Sequence, residues 1–154
     1  MKLALLGLAT LGVLTSPGCD SESERKRVEA EVLHSFEAPA SIFQRIDEFE
    51  SGNGGGGPIV VLEYSGDRHP RLHDIVPPRE FEKVEYEPQA YELFIPAVGA
   101  DVRWRTLGDF VGPTPDGSGE CHVWLLKGDI AGRSLVMLGA ACSLDTPSPA
   151  GSSF

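Results

Sequence analysis

The feature that most constrains this chain is a pair of apolar runs near its C-terminal end. They are CHVWLLKG (121–128) and SLVMLGAAC (134–142), joined by DIAGR. Each run is short and bounded by turn-forming residues, the pattern of two strands of a β-hairpin. In the register that centres the turn between them, Cys121 faces Cys142 at the open end. That position suits a cross-strand disulfide. A loop of this size corresponds to about 3 kcal/mol of stabilisation in the chain-entropy account of disulfides.

Upstream of the hairpin the pattern is also β. PIVVLEY (58–64) is apolar, β-branched and short, like a buried strand. YELFIPAV (91–98) is strand-like, with Pro96 marking an edge or an end. DVRWRTL (101–107) puts Val102, Trp104 and Thr106 on one face and Arg103 and Arg105 on the other. FEKVEYE (81–87) alternates without a cleanly apolar face. Between these runs, SGNGGGG (51–57) reads as a flexible break. SGDRHPRLHDIVPPRE (65–80) reads as a long loop and GPTPDGSGE (112–120) as a turn-rich loop.

Ahead of the strands the pattern shifts toward helix. VEAEVLHSF (28–36) fits two templates. Val28, Ala30, Val32, His34 and Phe36 alternate as in a strand, while Val28, Val32, Leu33 and Phe36 form a helical stripe. The surrounding Glu and Ala favour helix. SIFQRIDEF (41–49) is expected to be a short helix, with Ile42, Phe43, Ile46 and Phe49 on one face and Ser41 as N-cap. A chain of 154 residues with 41% apolar content supports one core. The expected fold is α+β with β dominant: a small antiparallel β-sandwich or half-open barrel with one or two short N-terminal helices. The globular domain is placed at 28–143 and a disordered tail at 144–154.

The N-terminus carries a different message. After Met1-Lys2 comes an uncharged apolar run, LALLGLATLGVL (3–14), followed by TSPG (15–18). This is the layout of a secretory signal peptide, here 1–18. The run is too short for a transmembrane helix, which needs about 20 apolar residues. Cys19 follows directly. Gly18-Cys19 resembles the lipobox of bacterial lipoproteins, where a small residue precedes a cysteine that is lipidated and becomes the new N-terminus. Ser16 stands where that family usually has Leu. The resemblance covers this N-terminal segment alone. It implies a lipid on Cys19, anchorage to a membrane through it, and a place in the bacterial cell envelope, at the periplasmic face or the cell surface. Ordinary signal cleavage is the alternative, since Ser16-x-Gly18 also fits the small-x-small rule.

Cysteine parity bears on the same point. Exported thiols tend to pair, and three cysteines leave one over. A lipid on Cys19 accounts for the odd one and leaves Cys121 and Cys142 for each other. The polar segment DSESERKR then reads as part of a tether over 19–27, or as the first turn of a helix.

Charge and motifs narrow the function classes. The formal charge is −10. Removing 1–18 takes away Lys2 and no acid, so the mature value is 12 minus 23, or −11. Such a surface disfavours nucleic acid and anionic lipid as partners. His69 and His73 are four apart, but Pro70 between them breaks the helix that a shared metal would use. Asp116, Ser118 and Glu120 alternate as calcium ligands do, with too few carboxylates for a full loop. The glycines at 54–57 lack the Lys and Ser/Thr of a phosphate-binding loop. No G-x-S-x-G elbow is present, and His122 reads as a core or edge histidine. No metal or cofactor is expected. Arg103, Trp104 and Arg105 are the candidate ligand-binding residues, since Arg and Trp together stack on and pair with anionic or planar groups. The expected function is a lipid-anchored, non-enzymatic envelope protein acting through binding. The alternatives are an exported enzyme with an unrecognised site and a freely secreted acidic binding or inhibitor domain.

Overall fold

The computed structural model describes residues 20–51 and 56–144. Residues 1–18, read as a signal peptide, Cys19, residues 52–55 of the segment read as a flexible break, and 145–154 lie outside the described residues.

The described residues begin with a helix, α1 (Asp20–Ser35). Residues 20–27, read as a tether, are its first two turns. Pairs at i,i+4 support them: Lys26–Glu22 at 3.4 Å and Arg27–Glu31 at 3.9 Å. The ambiguity over 28–36 resolves as helix, with Val28, Val32, Leu33 and Phe36 buried along one stripe.

Among the described residues seven strands follow: β1 (Phe43–Glu50), β2 (Pro58–Tyr64), β3 (Glu82–Val84), β4 (Ala90–Ile95), β5 (Ala100–Pro113), β6 (Gly119–Ile130) and β7 (Arg133–Leu144). They form one antiparallel sheet in the order β1-β2-β7-β6-β5-β3, and β4 also pairs with β5. β3 covers Asp109–Val111 and β4 covers Ala100–Arg105, so the two short strands share one edge of β5. The sheet is not closed into a barrel.

The β6–β7 hairpin has the expected register, from Ile130↔Arg133 at the turn to Cys121↔Cys142 near the open end. Its two-residue loop is Ala131-Gly132, both with positive φ, at 48° and 76°. This is the arrangement that matches the twist of the flanking strands. The disulfide Cys121–Cys142 is formed, across a Cα–Cα distance of 4.1 Å. Such a narrow rung belongs to the non-hydrogen-bonded class, so the Cys142 N–H points away from β6. There the buried Glu29 of α1 accepts it, through Oε1 at 3.0 Å.

The expected helix at 41–49 is instead strand β1. Its partner β2 shows why. The register slips between Arg45 and Asp47, where Ile46 is the extra residue of a β-bulge. Before the bulge Phe43 turns to the helix-covered face and stacks near Tyr64, ring centres 5.4 Å apart. After it Phe49 turns to the opposite face, where Ile46 also packs. A bulge thus produced apolar spacings of three, which alternation would not give and a helix would.

Both faces of the sheet are buried. Under α1 lie Val60 and Leu62 of β2, Val136 and Leu138 of β7, and Val123 and Leu125 of β6. Phe36 closes this core against Phe81 and Phe110, with ring centres 5.2 and 5.7 Å away. The other face has no helix among the described residues. The sheet curls over it, so that the Ala97 N–H after β4 reaches Asp47 Oδ2 of β1 at 3.0 Å. Inside the curl sit Val61, Ile95, Val102, Trp104, Leu126 and Met137. Two cross-strand pairs organise it, Trp104↔Gly128 and Trp124↔Gly139. A Cβ at either glycine would collide with the paired indole, so glycine makes the space that each ring occupies.

Candidate functional site

Two open regions adjoin these cores, one on each face of β5 and β6.

The first is a mouth at the end of the concave face, about 290 Å³ in volume. β5 supplies Thr106 and Asp109, and β6 supplies His122, Trp124 and Leu126. Tyr86, Gln89 and Tyr91 come from β4 and the segment before it. The β5 register slips between Thr106 and Gly108, and that bulge is what brings Asp109 onto the concave face opposite Trp124. His122 Nε2 lies 3.2 Å from Asp109 Oδ2, and its ring meets Trp124 edge-on with centres 6.0 Å apart. The Tyr86 hydroxyl donates to the Leu107 carbonyl at 3.3 Å. Partial burial pushes the Tyr91 hydroxyl up to about 12, although the side chain keeps some exposed surface. Thr106 is engaged with the Gln89 backbone, accepting from its N–H at 3.1 Å and donating to its carbonyl at 3.4 Å. The mouth therefore offers flat aromatic walls, fixed polar atoms and two carboxylates, Asp109 and Glu87. That equipment is of the kind that can hold a ligand. Among its lining residues no serine or cysteine accompanies the His122–Asp109 pair.

The second region is a groove on the opposite face, beyond the reach of α1, about 350 Å³ in volume. Arg103 and Arg105 of β5 line it with Lys127 and Asp129 of β6 and His69 of the 65–80 segment. A further hollow shares His69 and Lys127 with it and adds Arg68 and Arg71. Arg103 pairs with Glu92 at 3.3 Å. Asp129 accepts from the Ser134 hydroxyl at 3.0 Å and faces His69 at 3.8 Å.

The sequence candidates fall as follows. Arg103 and Arg105 come together in the groove. Trp104 has no exposed surface and lies on the other side of the sheet, over Gly128. Alternation along β5 separates it from its neighbours. His69 and His73 part company, His69 toward Asp129 and His73 toward Asp74 at 3.6 Å. Asp116 caps its own turn, accepting from the Ser118 N–H at 3.0 Å and from the Ser118 and Thr114 hydroxyls at 2.7 and 2.9 Å. Those bonds hold its carboxyl down at about 2. Sequence reasoning did not reach Asp109, Tyr91, Trp124 or Lys127. The one signal available was a lysine interrupting the apolar run of β6.

No family model, curated protein or solved structure matches this chain.

Proposed function

We propose that the protein is a lipid-anchored, non-enzymatic component of the bacterial cell envelope that acts by binding. The anchor is Cys19, and the concave mouth is the binding site. One observation carries this reading. The chain has three cysteines, and Cys121 and Cys142 are used by each other inside the domain. Cys19 is then the single thiol left, placed directly behind an apolar leader-like run. A disulfide also fits an oxidising compartment. The curl that joins Ala97 to Asp47 favours a half-open barrel over a sandwich, with the mouth as its open end.

Mass spectrometry of protein extracted from membranes tests the anchor. The expected species begins at Cys19 and carries acyl mass. Replacing Cys19 by Ser is expected to move the domain into the soluble fraction, since acyl chains contribute about 0.8 kcal/mol per buried CH₂. Wild-type protein that is soluble after high-speed centrifugation, or that retains Met1, overturns the reading.

A further inference from the structure

We infer that the groove between β5, β6 and the 65–80 segment is a binding site for a multiply charged phosphate-bearing ligand. The argument starts from pairing. Twelve Lys and Arg residues fall among the described residues. Six of them, Arg25, Lys26, Arg27, Arg45, Arg103 and Arg133, lie within 4.0 Å of a carboxylate. Of the six without such a partner among the described residues, four line the groove and its continuation: Arg68, Arg71, Arg105 and Lys127. A chain with 23 acidic residues against 13 basic ones has carboxylates to spare, yet these four have none within 4.0 Å among the described residues.

Register makes the point sharper. Arg105 stands directly opposite Lys127 on adjacent strands. Side chains so placed have Cβ atoms about 5 Å apart, and like charges there oppose folding. Arg103 lies two residues along on the same side, and His69 closes the far wall. The one groove carboxylate, Asp129, is already shared by Ser134 and His69. Uncompensated cations held together by the backbone are pre-organised for an anion, and guanidinium forks suit phosphate oxygens. Several cations exceed what one carboxylate needs. They match a phosphate monoester or diphosphate, whose charge at neutral pH is about −1.5 or more. The surrounding acidic surface repels anions at a distance, so the groove takes a ligand that reaches it closely and not an extended polyanion.

Calorimetric titration and thermal melting with pyrophosphate test the site, using the purified full chain. The wild type is expected to bind pyrophosphate more tightly than inorganic phosphate and to melt higher in its presence. Arg105→Gln and Lys127→Gln are each expected to lose roughly tenfold or more in affinity. Each is also expected to melt higher than wild type without ligand, because the repulsion is relieved. Lys83→Gln, on β3 and outside the groove, is the control and should change neither. Flotation of the Cys19→Ser chain with phosphatidic acid vesicles against phosphatidylcholine vesicles separates a lipid headgroup from a soluble phosphate ester. Competition by pyrophosphate for vesicle binding assigns the headgroup, and pyrophosphate binding without flotation assigns the soluble ligand. No heat and no melting shift with pyrophosphate at millimolar concentration overturns the proposal. So does affinity unchanged in both groove variants.

Discussion

The two faces of β5 and β6 are built from alternate residues of the same strands, yet they finish in opposite ways. On one face the residues beneath α1 form a closed core that includes the disulfide, and past the helix the surface becomes basic, with Arg103, Arg105 and Lys127. On the other face the sheet covers itself around Trp104, and past the curl the surface becomes aromatic and acidic, with Tyr91, Trp124 and Asp109. What separates Trp104 from Arg105 is one residue and one side of a pleat. The lesson is that a covering element decides which residues are structural. Where α1 and the curl end, side chains are released from core duty and become available for ligands.

The largest test of this contrast is Trp104→Ala. The ring has no exposed surface and sits over Gly128, so its loss leaves a cavity that the backbone has no side chain to fill. Urea unfolding is expected to show a loss of about 3–5 kcal/mol. Arg103→Ala next door should stay within about 0.5 kcal/mol. Comparable losses at both positions would break the comparison. Second in size is reduction of Cys121–Cys142 on the helix-covered face, expected to lower unfolding free energy by about 2–4 kcal/mol. Peptide mapping without reductant should find the two cysteines linked.

Glu29→Ala probes how α1 is fastened to that face. It removes the acceptor of the Cys142 N–H, with an expected cost of about 1–3 kcal/mol. Amide exchange at Cys142 should quicken more than at Leu138, which lies further along the same strand. A smaller effect follows from Glu63, which accepts two bonds from Arg133 at 2.7 and 2.9 Å. The Arg133 guanidinium holds the Glu63 carboxyl below its ordinary value. A depressed carboxyl stabilises the fold above its unfolded pKa, about 4.3, and that stability is lost as pH falls through the folded value. Both side chains are partly exposed, at 29% and 38%, so the amount is under about 1 kcal/mol. Glu63→Gln should therefore narrow the stability difference between about pH 6 and about pH 3. The smallest effect is a gain. Ala131 adopts φ 48°, a region that Asn tolerates better than Ala. Ala131→Asn should raise the unfolding free energy by about 0.5 kcal/mol.

Legibility in the sequence tracked how local the determining contacts are. The β6–β7 hairpin was readable down to the Cys121–Cys142 pairing, because two continuous apolar runs and a two-residue turn lie between cysteines only 21 positions apart. The β-dominant, antiparallel character followed from such runs. β1 was misread because the bulge at Ile46 is fixed by its partner β2, which no local spacing reveals. The sites were the least legible. Lys127 comes to line a groove with His69, and Tyr91 a mouth with His122, only after segments distant in the chain have come together. RWR was visible as a triplet, but a strand sends its middle residue to the other side.

The edge strand β1 has one further consequence. It carries Gln44, Arg45, Asp47, Glu48 and Glu50, and its spacing is interrupted at Ile46. A free sheet edge is a template on which a second copy of the chain can add its own strand. Two such edges brought together would each carry the interruption at Ile46, and the bulges would throw their ladders out of step. β1 thus carries, in its charged side chains and its bulge, two of the features that blunt a sheet edge against pairing with another chain.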